Sequence, residues 1–126
     1  MRQIIIVGLG GFIGSILRYL VSGWVQGFAD SPTFGYGTLS VNVLGCFAIG
    51  LLGGWTDSAG LFSPSMRLFL FLGLLGGFTT FSTFGYETMA LLRGRAMLGV
   101  FLYVGLHLLL GLGAVALGYG LSTLKG

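Results

Sequence analysis

The sequence predicts an all-α integral membrane protein with four transmembrane helices, the third of them broken. Two observations predict this fold class. Of the 126 residues, 55% are apolar and 7% are charged, whereas a water-soluble domain carries roughly a quarter charged residues. Four segments also reach the roughly 20 apolar residues that one bilayer crossing requires. We therefore expect a single transmembrane domain over residues 1–126, with the lipid bilayer as its surroundings.

The first span is expected from about Ile4 to Val25. Its first half, IIIVGLGGFIG, resembles a strand that enters a glycine-rich nucleotide-binding turn, with Asp30 at a suitable distance. That motif requires a parallel sheet covered by amphipathic helices, and the rest of the sequence does not predict such helices. We therefore interpret the glycines as positions where membrane helices approach each other closely.

The second span is expected from about Gly37 to Trp55, the third from about Ser65 to Leu92 and the fourth from about Met97 to Ser122. Turn-forming residues and four of the nine charged residues lie in the links between them. Small residues four positions apart mark expected helix contacts. These pairs are Gly10 with Gly14, Gly73 with Gly77, and Ala114 with Gly118.

The third span is longer than the roughly 20 residues that a straight crossing needs. Within it, Gly76 and Gly77 precede Thr79 and Thr80, whose side chains compete for backbone hydrogen bonds. We expect a break or distortion there, with freed carbonyls or amides available to an ion. A long, tilted but continuous helix is an equally good interpretation of the spacing alone.

Basic residues divide evenly between the two membrane faces. They are Arg2, Arg67 and Lys125 on the side of the termini, and Arg18, Arg93 and Arg95 on the opposite side. Since an excess of Lys and Arg fixes orientation, an even division favours insertion both ways. Two opposed copies would then form an antiparallel, dual-topology homodimer. The alternative is that six charges are too few to reveal a real preference.

Several polar residues fall inside the predicted spans. Asn42 is either a hydrogen-bonding contact between helices or part of a pore lining. Arg18 either extends to the interface or concentrates anions at a pore mouth. Glu87, near a span end, is a proton site, a cation site or a hydrogen-bond acceptor. Tyr103 and His107, four residues apart, share a face and would border the same polar path, although a lone histidine is more often structural.

Two phenylalanines stand among hydroxyl residues in the third span. In a helix, Phe81 and Phe84 share one face, and Thr80, Thr83 and Glu87 form a neighbouring stripe. Aromatic rings are electropositive at their edges, so two edges with adjacent hydroxyls would bind a dehydrated anion weakly. Weak binding suits conduction, because the ion must also leave. The alternative is that both rings are ordinary apolar filler.

The sequence does not predict an enzyme. It contains no Ser-His-Asp set, no carboxylate pair and no group of metal-ligating residues, and Cys46 stands alone in an apolar segment as a small packed residue. We expect no nucleic-acid partner either.

Three stretches together resemble a known family. They are GxxxRY at Gly14–Tyr19, GTLSVNVLG at Gly37–Gly45 and GGFTTFSTFGYET at Gly76–Thr88. The chain resembles the Fluc fluoride channels, also called the CrcB family, over essentially its whole length. The resemblance implies a fluoride-selective, passive ion channel, multi-pass in the plasma or inner membrane of a microbe, which exports cytoplasmic fluoride and lowers its toxicity.

The resemblance also implies an antiparallel homodimer with two pores and a set of site residues. Those implied for the fluoride path and its polar track are Asn42, Phe81, Phe84, Thr38, Ser82, Thr83 and Tyr103, with Arg18 at a vestibule. Backbone carbonyls of Gly76 and Thr79, from both copies, are implied to hold a structural sodium ion. The role of His107 stays open. Rival functions are a small proton-coupled drug exporter, which would need Glu87 as its carboxylate, and a non-transporting subunit.

Overall fold

The computed structural model describes residues 1–124; Lys125, which entered the charge comparison, lies outside them. The described part contains helices and no strand. They are α1 (Arg2–Phe28), α2 (Tyr36–Ala59), α3 (Pro64–Arg67), a π-helix (Leu68–Leu75), α4 (Gly76–Phe78), α5 (Phe81–Arg93) and α6 (Met97–Thr123). They form four apolar spans long enough to cross a bilayer: α1, α2, Pro64–Arg93 and α6. The prediction of an all-helical, multi-pass membrane protein is confirmed.

Glycines hold α1 against the first half of the third span. A methyl group at Gly10 would lie 2.9 Å from the Cα of Gly73, and one at Gly77 would lie 2.6 Å from the carbonyl oxygen of Gly11. The backbones therefore touch, which no larger residue would allow. Of the predicted small-residue contacts, Gly10, Gly14, Gly73 and Gly77 thus form one interface, which we call the glycine seam.

α2 and α6 form the other extensive contact of the bundle. Gly118 of α6 lies directly against α2, since a methyl group there would come within 2.8 Å of the amide nitrogen of Leu51. Val41 of α2 and Tyr103 of α6 are the largest side chains that are completely buried. This close contact between α2 and α6 does not involve the third span.

The third span is interrupted at Thr79 and Thr80. Both residues are extended, with φ −87° and ψ 155° at Thr79 and φ −150° and ψ 114° at Thr80. The helix resumes at Phe81. The expected break is confirmed, and the interpretation as one continuous helix is wrong.

Of the glycines and threonines that suggested the break, the threonines form it and the glycines do not. Gly76 and Gly77 are themselves helical, and the segment before them, Leu68–Leu75, is already widened into a π-helix. Thr80 ends the interruption because its side chain accepts a hydrogen bond from the amide of Thr83, 3.2 Å away. Threonine caps helix starts in this way, so the capping residue rather than the glycines sets the position.

Gln26 ties the link between α1 and α2. Its side-chain nitrogen donates to the carbonyl of Ser31 at 2.8 Å and to that of Phe34 at 3.3 Å. Its oxygen accepts from the amide of Gly37 at 3.1 Å. These bonds hold Phe34 so that its ring meets Tyr103 edge to face, with centroids 5.0 Å apart.

Candidate functional site

A cavity of about 410 Å³ lies beside the break in the third span. Its walls come from α2, the π-helix, the break, α5 and α6. We call it the break cavity; its polar lining and adjoining rings are Asn42, Gly76, Thr79, Thr80, Phe81, Phe84 and His107. Phe81 lines the cavity although its side chain is 83% exposed, so one side of the cavity is open.

Asn42 replaces a helical turn at the break. Its Nδ2 donates to the carbonyl oxygen of Thr80 at 3.0 Å, and its Oδ1 accepts from the amide of the same residue at 2.8 Å. The Thr80 amide would otherwise close a turn on the carbonyl of Gly76, four residues earlier. One side chain of α2 therefore satisfies both backbone groups of Thr80 and holds the break open.

His107 makes the third contact to the side-chain amide of Asn42. Its Nε2 lies 3.3 Å from Nδ2 of Asn42, and its Nδ1 lies 3.0 Å from the carbonyl oxygen of Tyr103, one turn earlier in α6. Asn42 thus joins α2, the break and α6 through one planar group.

Aromatic rings form a continuous row from the cavity into the bundle. Phe81 and Phe84 have centroids 5.4 Å apart at 45°, which agrees with their predicted common face. Phe84 then contacts His107 at 4.4 Å and Tyr103 at 5.6 Å. The rings are tilted rather than parallel at Phe81, Phe84 and His107, so ring edges as well as faces border the cavity.

Hydroxyl groups cluster at the start of α5. The hydroxyl of Thr80 lies 2.9 Å from that of Thr83 and 3.3 Å from that of Ser82. The prediction that Thr80 belongs to a helical stripe with Thr83 and Glu87 is wrong, because Thr80 is the extended capping residue. The helix-capping preference of threonine was the signal that would have identified it.

Glu87 lies farther along α5, outside the lining of the break cavity. Its Oε1 accepts from the hydroxyl of Thr38 at 3.0 Å, and its Oε2 accepts from the hydroxyl of Tyr103. We call Thr38, Glu87 and Tyr103 the carboxylate cluster. Of the three roles left open for Glu87, the structure shows the hydrogen-bond acceptor, with both oxygens engaged.

The residues predicted for the fluoride path and for the sodium site fall into three groups in the structure. Those in the break cavity are Asn42, Phe81, Phe84, Gly76 and Thr79; Ser82 and Thr83 adjoin it through Thr80; Thr38 and Tyr103 belong to the carboxylate cluster. Arg18, half-buried on α1, does not line the break cavity.

The match to a family model decides the relationship of this chain. The model described as "CrcB-like protein, Camphor Resistance (CrcB)" matches residues 5–119. The chain belongs to the CrcB family. The resemblance expected from the three sequence stretches is confirmed.

Curated members of the CrcB family match nearly the whole chain. The fluoride-specific ion channel FluC 3 of Methanosarcina barkeri is 44% identical over 119 residues, 94% of this chain and 88% of the relative. The fluoride-specific ion channel FluC of Nitratidesulfovibrio vulgaris is 42% identical over 124 residues, 98% and 99% of the two chains. That of Methanococcus maripaludis is 46% identical over 122 residues, 94% and 93%. These relatives are named as channels, which agrees with the prediction of a non-enzyme.

Proposed function

We propose that this chain is a fluoride-selective, passive ion channel that exports cytoplasmic fluoride and so lowers its toxicity. The relatives named as fluoride-specific channels match it at 42% to 46% identity over most of both chains. The observation that carries the proposal is that Asn42, Phe81 and Phe84 line one cavity beside an interruption of a membrane span.

The chemistry of the break cavity suits a small dehydrated anion. An amide N–H of Asn42 and the hydroxyls around Thr80 are hydrogen-bond donors, while the rims of Phe81 and Phe84 are weakly positive. None of these groups carries a full charge, so an anion would be held weakly enough to leave again. In this proposal Ser82, Thr83, Thr38 and Tyr103 continue the polar track, and Arg18 draws anions to a vestibule.

The rival drug exporter requires a carboxylate that a proton and a cationic drug can occupy in turn. Glu87 is the one carboxylate within a described span near the cavity, and both of its oxygens already accept hydroxyl hydrogen bonds. Such a carboxylate is a structural acceptor, which favours the channel over the exporter.

The second copy of the chain completes the site in this proposal. Phe81 is 83% exposed although it borders the break cavity, and a lone chain of four spans encloses little space. Balanced basic residues favour insertion in both orientations. We propose an antiparallel, dual-topology homodimer, embedded in the plasma or inner membrane of a microbe, in which the partner closes the open side of each cavity.

A structural sodium ion at the dimer centre also fits the chemistry of the break. The Gly76 carbonyl lacks its usual helical donor, because the Thr80 amide donates to Asn42. Within residues 1–124, no backbone amide donates to the carbonyl of Thr79. Carbonyl oxygens are hard ligands suited to a hard cation, so Gly76 and Thr79 of both copies would hold the ion. When bound, the ion supplies positive charge that offsets repulsion between these carbonyls.

Fluoride efflux from liposomes that contain the purified protein tests the proposal. A fluoride electrode should record rapid efflux without a proton gradient, and a chloride electrode should record none. Vesicles that retain fluoride, or that release both halides alike, overturn the proposed function.

Two substitutions test the pore assignment. Phe81→Ile removes a ring edge and Asn42→Asp replaces donors with a negative charge, so both should abolish fluoride flux while the dimer stays intact by size-exclusion chromatography. Phe12→Ile is the matched control, because Phe12 is a 66% exposed ring on α1, outside the lining of the break cavity. Unchanged flux in both pore variants removes the assignment.

A further inference from the structure

Nε2 of His107 accepts a hydrogen bond from Asn42, whose side-chain N–H is a donor that the proposed fluoride path needs. Nδ2 of Asn42 carries two hydrogens. One donates to the carbonyl of Thr80 at 3.0 Å, as part of the pair of bonds that keeps the break open. The other points to Nε2 of His107 at 3.3 Å, the longest of the three contacts of Asn42.

The surrounding contacts fix the tautomer of His107. A carbonyl oxygen only accepts hydrogen bonds, so Nδ1, 3.0 Å from the carbonyl of Tyr103, carries the proton of the ring. Nε2 is therefore unprotonated and accepts from Asn42. With the opposite tautomer, two N–H groups would face each other at one end of the ring and two acceptors at the other.

The two donor hydrogens of Asn42 differ in what their release would cost. Releasing the one on Thr80 would leave a backbone carbonyl of the break unpaired in apolar surroundings, which is costly. Releasing the one on His107 frees a ring nitrogen that lines the break cavity and packs against Phe84 at 4.4 Å. An anion in the cavity can therefore accept a hydrogen bond from this N–H without disturbing the break.

We propose that the unprotonated Nε2 of His107 is a resident acceptor that occupies the cavity-facing N–H of Asn42 until fluoride displaces it. This inference rests on the proposed function and deepens it, since it assigns His107 as a positioning residue that acts through Asn42. Exchange of one acceptor for another keeps the donor satisfied when the site is empty. It also lowers the apparent affinity for fluoride, because the anion competes with an imidazole nitrogen.

A matched pair of substitutions separates this role from packing. Gln and Met have side chains of similar length and shape, but only Gln offers an oxygen that can accept from Asn42. His107→Gln should preserve the half-saturating fluoride concentration of liposome flux. His107→Met should lower that concentration by about three- to tenfold, because the Asn42 N–H then has no competing acceptor. This factor corresponds to the net contribution of one neutral hydrogen bond.

The maximal flux need not follow the half-saturating concentration, so both are measured. Equal half-saturation in the Gln and Met variants, or a higher value in the Met variant, overturns the inference. If the Met variant does not fold, as judged by size-exclusion chromatography, nitrogen NMR of the wild-type protein tests the inference instead.

His107 is the single histidine of the chain, so nitrogen NMR of histidine-labelled protein needs no assignment. The inference expects an Nδ1–H tautomer and an Nε2 signal that shifts when fluoride is added but not when chloride is added. Asn42→Ala should remove the fluoride response. An Nε2–H tautomer, or an Nε2 signal indifferent to fluoride, overturns the inference. Wild-type vesicles that retain fluoride would end the proposed function instead, while the tautomer still reports on the His107–Asn42 bond.

Discussion

The two halves of the third span are held in place by opposite means. Before the break, the glycine seam joins the span to α1 by leaving side chains out, so that a methyl group at Gly10 would lie 2.9 Å from the Cα of Gly73. At the break, Asn42 holds the span to α2 by adding a side chain whose polar groups match both backbone groups of Thr80. The first contact depends on volume and the second on hydrogen-bond complementarity.

The difference explains how each half tolerates change. In the seam any added atom meets backbone, which cannot move aside, whatever its polarity. At the break a residue of the same size is harmful when its donors and acceptors are wrong, because unpaired polar groups are costly away from water. Substitutions of matched size therefore separate the two kinds of contact.

The largest effect is expected in the seam. Gly73→Leu would drive a side chain into the backbone of α1, where the carbonyl oxygen of Val7 would lie 2.8 Å from the first added carbon. Overpacking of this kind costs about 1–3 kcal/mol or more, and we expect little folded protein in detergent by size-exclusion chromatography. Gly113→Leu is the control, since nothing lies within 4 Å of a methyl group there. Equal recovery of both variants would contradict the volume argument.

A smaller effect is expected at the break. Thr80→Val keeps the shape of the side chain but removes the hydroxyl that accepts from the Thr83 amide at 3.2 Å. Loss of such a cap costs about 1 kcal/mol, which should appear as a lower midpoint of thermal unfolding. Thr88→Val is the matched control, because that hydroxyl only donates to the carbonyl of Phe84 within the same helix. An equally large decrease in the unfolding midpoint for Thr88→Val would show that the cap contributes no more than an ordinary hydroxyl hydrogen bond.

The smallest effect is expected in the carboxylate cluster. Glu87→Gln keeps one oxygen that can accept from the hydroxyl of Thr38 or Tyr103, and the hydroxyl beside the new NH2 group can turn to accept from it. Both contacts can therefore persist, so the free energy of unfolding should change by less than about 1 kcal/mol. Fluoride efflux should decline only modestly. Complete loss of transport in this variant alone would favour the proton-coupled exporter.

Composition and span length were sufficient to predict the fold. The second span, for example, was expected from about Gly37 to Trp55 and runs from Tyr36 to Ala59. Hydropathy reveals membrane spans because a crossing requires about 20 mostly apolar residues, which is a property of the whole segment. The seam was predictable because small residues four apart, as in Gly10 with Gly14 and Gly73 with Gly77, mark close contacts between membrane helices.

The details of the site were less predictable. The sequence indicated a break where Gly76 and Gly77 precede two threonines, but nothing local reveals that the partner of Thr80 is Asn42, 38 residues earlier in the chain. Similarly, Thr38 and Tyr103 were expected along the polar track, but nothing local in the sequence shows that both hydroxyls donate to Glu87. Pairings between distant polar residues are set by how the helices dock, which a single sequence does not encode locally.

The amide bridge of Asn42 has a consequence for the order of assembly. If the third span enters the bilayer before α2 docks, the carbonyl of Gly76 is the nearby backbone acceptor for the Thr80 amide. That hydrogen bond would continue the helix without a break. The break would then form only when α2 docks and the side-chain amide of Asn42 binds Thr80. In such an intermediate the third span would be straight, and the break cavity would not yet exist.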